Sequence, residues 1–259
     1  MKKHILAKII LLIFLNLFGS YAQESNALRA GEFLKYRIHL GFINAAEATI
    51  KTSFSQVQVN QIPSRKVEIE GKTIGLLHYL SPLVDYWSAS LDVSTLLPIK
   101  TELKKIEGKY RKEENVYFNT ENNTAKIYSK QNDPNEKTVS IPKGTVDLIG
   151  GYYYLRNKVL SDMKIGQKLN AKILVEGTIY EVWFIVKDFE KIDTKFGKRN
   201  CIRTSLVMPK NNLFEDKDAI RLWISQDDYQ IPIKMEVSLK IGFLGIDLEE
   251  YNIMGKRVY

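Results

Sequence analysis

Cysteine is almost missing from this 259-residue chain: Cys201 is the one example. A lone thiol excludes an internal disulfide framework, and a chain of this length can bury a large enough core to fold without one. Histidine is nearly as scarce. His4, His39 and His78 are far apart in sequence, and with Cys201 they form none of the spacings that hold a metal. No metal and no cofactor is therefore expected. The chain lacks a Gly-x-Ser-x-Gly elbow and a glycine loop able to cradle phosphate. It also lacks a Pro/Gly/Ser-rich linker, and beyond residue 18 it has no uncharged apolar run of the roughly 20 residues a membrane helix needs.

The first 22 residues read as a cleaved leader. Lys2 and Lys3 precede an apolar stretch over residues 5–18, and Ser20-Tyr21-Ala22 supplies small residues where a signal peptidase reads. The expected product, residues 23–259, is an exported single β-rich domain in the periplasm or at the cell surface. It should be soluble and without a transmembrane segment, and no cysteine at the cleavage point offers a lipid anchor. Loss of Lys2, Lys3 and Lys8, with no acid in the segment, lowers the formal charge from +8 to +5. That mild excess suits acidic glycans or anionic lipid heads. The basic residues are scattered and no nucleic-acid motif is present, so nucleic acid is not an expected partner.

Short β-rich runs separated by turn signals fill most of the chain, the pattern of a sandwich or barrel. In residues 33–40, Leu34, Tyr36, Ile38 and Leu40 alternate with Lys35, Arg37 and His39, as a half-buried strand requires. Gly41-Phe42 then suits a type II′ hairpin returning through residues 43–52, and Gly242-Phe243 suits a similar turn between residues 235–241 and 244–251. Further hairpins are expected at residues 119–123, 176–177 and 196–198. Residues 178–186 are apolar on both faces and predict a central strand covered on both sides. Two segments repeat one chemistry. Asp85-Tyr86-Trp87-Ser88, Asp92 and Leu97-Pro98-Ile99-Lys100 are matched by Arg221-Leu222-Trp223-Ile224-Ser225, Asp227-Asp228 and Ile231-Pro232-Ile233-Lys234. Each predicts an aromatic strand, an acidic turn and a strand entered through proline.

One long helix is predicted over residues 145–162, from the helical spacing of Leu148, Ile149, Tyr152, Leu155, Val159 and Leu160. Thr145 is the expected N-cap, with Asp147 in the first turn. Gly150-Gly151 costs such a helix about 1 kcal/mol per glycine against alanine, which points to close packing on a sheet. Residues 74–80 form a shorter helical or looped segment. The fold expected is mainly β: a large curved antiparallel sheet forming an open or half β-barrel, with one central α-helix and a short helical segment.

Several of these motifs, in this order, resemble a bacterial exported-protein family known as domain of unknown function 3108. They are Gly31-Glu32-Phe33-Leu34-Lys35-Tyr36, Gly41-Phe42-Ile43-Asn44-Ala45, Val84-Asp85-Tyr86-Trp87-Ser88, Ile141-Pro142, Asp147 with Tyr153-Tyr154-Leu155-Arg156, Thr194-Lys195-Phe196-Gly197-Lys198 before Cys201, and Trp223-Ile224-Ser225 with Ile231-Pro232. Ala46 stands where the family is expected to favour glycine. The resemblance implies no activity. More distantly, the Trp-Ile-Ser and Pro-Ile-Lys hairpin is similar to those of periplasmic lipoprotein carriers, half-barrels that hold acyl chains between a curved sheet and helices. Such a likeness of fold does not carry function with it.

Chemistry-bearing groupings are few. His39 reads as solvated or cross-strand paired, His78 as partly buried and satisfied, and Cys201 as a small packing residue. The carboxylate pairs Glu113-Glu114, Asp227-Asp228 and Glu249-Glu250 fall in turns or exposed-looking strands, poor places for catalytic tuning. No catalytic residue is assigned, and the balance leans away from an enzyme. Tyr86, Trp87, Tyr152, Arg156, Trp183 and Trp223 are the candidate ligand-binding residues, able to present apolar bodies and polar tips to an acyl chain or a sugar. Arg156 could meet a ligand phosphate or carboxylate, or instead pin helix to sheet by an ion pair, with Asp85 as its candidate partner. The functional expectation is a non-catalytic binding protein for an amphipathic ligand, lipid-like or glycan, which requires open space beneath the central helix. The alternatives are a cell-envelope scaffold binding another protein and, with less support, a hydrolase of envelope polymers.

Overall fold

The structure, a computed structural model, describes residues 25–130, 135–158, 163–207, 218–239 and 242–259. The expected leader therefore lies outside the described residues. Strands run in the order β1 (Glu32–Leu40), β2 (Ile43–Thr52), β3 (Val57–Val59) and β4 (Ile62–Thr73). After helix α1 (Gly75–Leu80) come β5 (Leu83–Asp92), β6 (Pro98–Glu107), β7 (Tyr110–Asn119), β8 (Thr124–Lys130) and β9 (Asn135–Ser140). Helix α2 (Leu148–Lys158) leads into β10 (Lys168–Val175), β11 (Thr178–Thr194), β12 (Gly197–Val207), β13 (Ile220–Ser225), β14 (Pro232–Leu239), β15 (Gly242–Ile253) and β16 (Lys256–Arg257).

The strands make one antiparallel sheet ordered β10-β11-β12-β13-β14-β15-β1-β2-β4-β5-β6-β7-β8-β9, with β3 beside β4 and β16 beside β15. The chain's first strand thus sits between β15 and β2, and the edges are β9 and β10. The sheet curls until its two ends meet through side chains rather than a ladder. Val116, Phe118, Ala125 and Ile127 of β7 and β8 pack with Leu174 of β10 and Ile179 of β11. Lys105 and Lys112 reach across to Glu176 in the β10–β11 turn, at 3.1 and 2.8 Å. The middle of edge β10 is covered by a parallel bridge from Val146, whose N–H and C=O bond to Lys172 and Leu174. This is the open barrel expected from the sequence.

The repeated hairpins fold alike. β5–β6 turns on Asp92, whose carboxylate accepts the amides of Ser94 and Thr95. β13–β14 turns on Asp227, whose carboxylate accepts those of Tyr229 and Gln230. Each is an Asx-type turn closed by a left-handed residue, Leu96 (φ 63°) or Gln230 (φ 50°), before a strand that starts at proline. At the β1–β2 turn Leu40 pairs with Ile43, and Gly41 takes φ 56°, as the expected hairpin needs.

The structure corrects several local expectations. Within the described residues α2 runs from Leu148 to Lys158, shorter than residues 145–162, and residues 159–162 lie outside the description. Thr145 does not cap it: its hydroxyl turns back to the Pro142 carbonyl, and Asp147 accepts the amides of Ile149 and Gly150 instead. Gly242 is already in β15, paired with Leu239, so Gly242-Phe243 is not the turn, and residues 240–241 lie outside the described residues. β11 is covered on one face only. Val182, Phe184 and Val186 are buried while Tyr180 and Trp183 remain exposed, because α2 packs against one side and no described residue covers the other. Glu114 is buried and ion-paired with Lys112, not solvated, and His78 is exposed rather than partly buried.

Candidate binding surface

Helix α2 occupies the concave side. Its buried residues are Ile149, Gly150, Gly151, Tyr153, Leu155 and Arg156. Ile149 and Tyr153 pack with Leu34, Tyr36, Ile50, Val67, Leu91 and their neighbours, and Leu155 packs with the inner side chains of β10 to β13. The glycine pair permits the approach. A Cβ on Gly150 would stand 2.9 Å from the Asp147 carboxylate, and one on Gly151 would stand 3.1 Å from Ile173 Cδ1.

Arg156 is fixed by Glu32, not by Asp85. Its two terminal nitrogens donate to the Glu32 carboxylate at 2.6 and 2.7 Å, and its Nε donates to the Tyr229 carbonyl at 2.9 Å. Tyr251 donates to the same carboxylate at 2.6 Å, and Tyr153 shares a 2.9 Å hydrogen bond with Thr52. Burial raises the phenols of Tyr153 and Tyr251, with the Glu32 charge adding to it. Asp85 cannot compete because it lies on β5 beside Lys105, its directly paired residue on β6. The sequence does carry a signal for Glu32: it shares strand parity with Leu34 and Tyr36, so it points where they point. A strand taken to start at Phe33 begins one residue too late to include it.

The six candidate residues are not gathered into one groove. Tyr152 and Arg156 are neighbours on α2, and burial pushes the Tyr152 hydroxyl up to about 12, against the pull of the Arg156 charge. Trp87 packs against the main core with the Lys105 ammonium 5.6 Å from its ring. Tyr86 donates to Glu68 at 2.6 Å. Trp183 stands exposed on β11, and Trp223 is buried, its indole N–H on Glu190 at 2.9 Å. Cys201 is fully buried, and burial pushes its thiol up to about 12. His39 bridges Asp247 at 3.1 Å and the Gly41 carbonyl at 2.7 Å.

Among the described residues, one void lies under the first turn of α2 and is small. It sits between that turn, β5 to β7 and the end of β10 and holds about 30 Å³, room for one water. A larger cleft of about 650 Å³ opens at the end of the barrel where α2 finishes, lined by Arg29, Asn157, Asp228 and Tyr229 among others. There the Arg29 guanidinium is already held by the carbonyls of Asp228 and Tyr229.

The opposite end presents apolar tips to water. Strand register places the β1–β2 turn, α1, the β6–β7 turn and the start of β15 along one arc of the rim: Leu40 pairs with Ile43 and Leu244, Ala46 with Thr73, and Leu83 with Glu107. Phe42 at the turn is 107% exposed, more than in an extended peptide, and Ile43 beside it is 64% exposed. In α1, none of whose residues is buried, Leu76, Tyr79 and Leu80 are 71, 85 and 72% exposed. Val84, Ile106, Tyr110 and Phe243 continue the arc. Single exposed apolar residues are ordinary; a contiguous set of this kind marks an interaction surface. A phenylalanine at the second position of a two-residue turn, and the apolar run of residues 74–80 between strands, are its traces in the sequence.

A single curved antiparallel sheet, left open and wrapped around one buried helix, defines a β-barrel-like domain. A crystal structure of a beta-barrel-like protein of domain of unknown function DUF1849 from Brucella abortus shares it, with a TM-score of 0.57 and 10% identity over 87% of this chain and 99% of that one. A Parabacteroides distasonis protein with a provisional lipoprotein designation also aligns, at 12% identity over 87% and 96% of the two chains. Its TM-score of 0.31 is too low to bear on the argument. The family described as protein of unknown function (DUF3108) matches residues 35–249, and the chain belongs to it. No curated protein matches the sequence.

Proposed function

We propose that the chain is an exported, non-catalytic binding protein that meets an amphipathic ligand at the apolar rim rather than beneath α2. The rim carries this reading: Phe42, Ile43, Leu76, Tyr79 and Leu80 stand in water on adjacent loops of one end. Exposing that much apolar surface is unfavourable, and contact with an amphipath removes the cost. Export is supported by the basic, apolar and small-residue order of residues 1–22. Three buried carboxylates support a binding role over catalysis, since each of them is engaged in holding the fold. Glu32 holds Arg156, Glu114 holds Lys112, and Asp147 caps α2.

Titration of isotope-labelled protein with dodecylphosphocholine, followed residue by residue by NMR, tests it. Amide shifts should concentrate at residues 41–43, 74–84, 106–110 and 242–244. Shifts centred on the cleft at Arg29, or no saturable shifts below the detergent's denaturing range, would contradict the assignment.

A further inference from the structure

The inner face of the sheet is not sealed along its whole length. On adjacent strands the burial of inward-facing residues falls toward the rim. β1 runs from Leu34 and Tyr36, both buried, to a half-buried Ile38 and an exposed Leu40, and β15 runs from Tyr251 and Leu248 to a half-buried Ile246. On β4 and β5, Val67, Ala89 and Leu91 are buried, whereas Ile69 and Trp87 are half-buried. Ile69 and Trp87 each lie four residues from the rim end of their strand, so fraying does not account for them. A Cβ built on Gly71, which shares their face, would meet nothing within 4 Å. The position of α2 explains the gradient. It is held at the other end of the barrel, with Arg156 on the Tyr229 carbonyl, Tyr153 on Thr52 and Gly150 beside the Leu96 carbonyl. Among the described residues, nothing fills the interior between α2 and this arc of the rim.

Strand register joins these positions into one wall. Ala46, Ile38, Ile246 and Met235 are paired in turn across β2, β1, β15 and β14, and Ala48 pairs with Gly71. No charged or hydroxyl-bearing side chain stands among them. Charge on this face is set apart on β5 and β6, where Asp85 pairs with Lys105 and Lys105 is already held by Glu176 at 3.1 Å. A sugar against the apolar wall would give up hydrogen bonds to water without replacing them, whereas a hydrocarbon chain gives up none. From this we infer that the space takes the single acyl tail of an amphipath whose head stays at the rim. The inference rests on the proposed binding role of the rim and says where the ligand's tail goes. Four residues of strand give the space about 13 Å of depth, enough for a run of methylenes, and the small side chains at Ala46, Ala48 and Gly71 give it width. Met235 adds an unbranched side chain that can adjust to the chain's shape.

Titration with spin-labelled stearates, kept below their aggregation concentration and followed by methyl NMR, decides it. A nitroxide near the chain end should broaden the signals of Ile38, Ile69, Met235 and Ile246, saturating at one stearate per protein. A nitroxide near the carboxylate should broaden Ile43 at the rim more strongly than Ile69. Gly71→Leu projects a side chain into the open space, so it should keep or raise the parent's melting temperature. It should also weaken stearate binding at least about tenfold, the worth of two displaced methylenes, and Ala48→Leu should do the same. Unchanged affinity in these folded variants would overturn the inference. A melting temperature lowered by both substitutions would also overturn it, because the space would then be filled already. If dodecylphosphocholine shifts the rim amides but the stearates broaden no inward-facing signal, the tail site falls while the rim reading stands. If neither amphipath binds, both fall.

Discussion

Helices α1 and α2 both interrupt the sheet, both are rich in leucine and tyrosine, and they stand in opposite relations to water. α2 contributes six buried residues, among them an arginine and two glycines, and its ion pair with Glu32 is sealed at 2% and 0% side-chain exposure. α1 contributes none, and three of its six residues carry large apolar side chains in solvent. The contrast follows from position. α2 follows the segment that bridges edge β10 and so falls inside the curl, whereas α1 is a short crossing between neighbouring strands β4 and β5 at the rim, with no described residues layered above it. Apolar character alone therefore does not report burial here; the element's place relative to the sheet does.

The largest effect should come from breaking the buried pair. Arg156→Met leaves the Glu32 carboxylate buried without its partner and should cost about 3–5 kcal/mol in urea unfolding. Adding Glu32→Leu should recover part of that loss, and a double variant as unstable as the sum of the singles would count against a direct pair.

Asp147 should show a distinct pH dependence. Burial pushes its carboxyl up to about 6 from an ordinary 3.8, against the pull of the Gly150 and Ile149 amides. The folded protein then binds this proton more tightly than the unfolded chain does. Burial of the carboxylate thus costs stability above about pH 6, and the cost fades as pH falls toward 4. Asp147→Asn keeps a cap acceptor without the charge, so its stability relative to the parent should rise between pH 4 and 7 by about 2 kcal/mol. A pH-independent difference in unfolding free energy would contradict this.

Two glycine substitutions sharpen the picture of α2. Gly150→Ala drives a methyl against the Asp147 cap and the Val146 side chain, and should destabilise by about 1 kcal/mol despite the gain in helix propensity. Gly151→Ala presses closely on the movable tip of Ile173 alone, with Val146 Cγ2 at an ordinary 3.7 Å, and should change the melting temperature little. The smallest effect belongs to α1: Leu76→Ser or Leu80→Ser should alter stability by less than about 0.5 kcal/mol, while Leu34→Ala in the core costs about 2–5.

Much of the architecture could be read from alternation and turn chemistry. β1 and β2, the two Asp-and-Pro hairpins and the Gly41 turn follow from local rules that tertiary packing does not override. What local reading could not supply was distance. Arg156 and Glu32 are 124 residues apart and become neighbours only through curvature, so local reading favours the nearer-seeming Asp85 as partner. The aromatic residues Tyr86, Trp87, Trp183 and Trp223 have the right chemistry for a groove, but adjacent strand positions face opposite ways, and their separate strands disperse them. The rim is hidden for a related reason: residues 74–80 read only as a short helical or looped apolar segment until the connection between β4 and β5 is seen to leave them exposed among the described residues.

The most direct test places an environment-sensitive fluorophore at each end of the barrel. Cys201 is buried and resists labelling, so Phe42→Cys and Asn122→Cys variants can be tagged selectively with a nitrobenzoxadiazole dye. With dodecylphosphocholine, the dye at position 42 should shift to the blue and brighten while the dye at 122 stays unchanged. Equal responses at the two ends, or none at position 42, would contradict amphipath binding at the apolar rim.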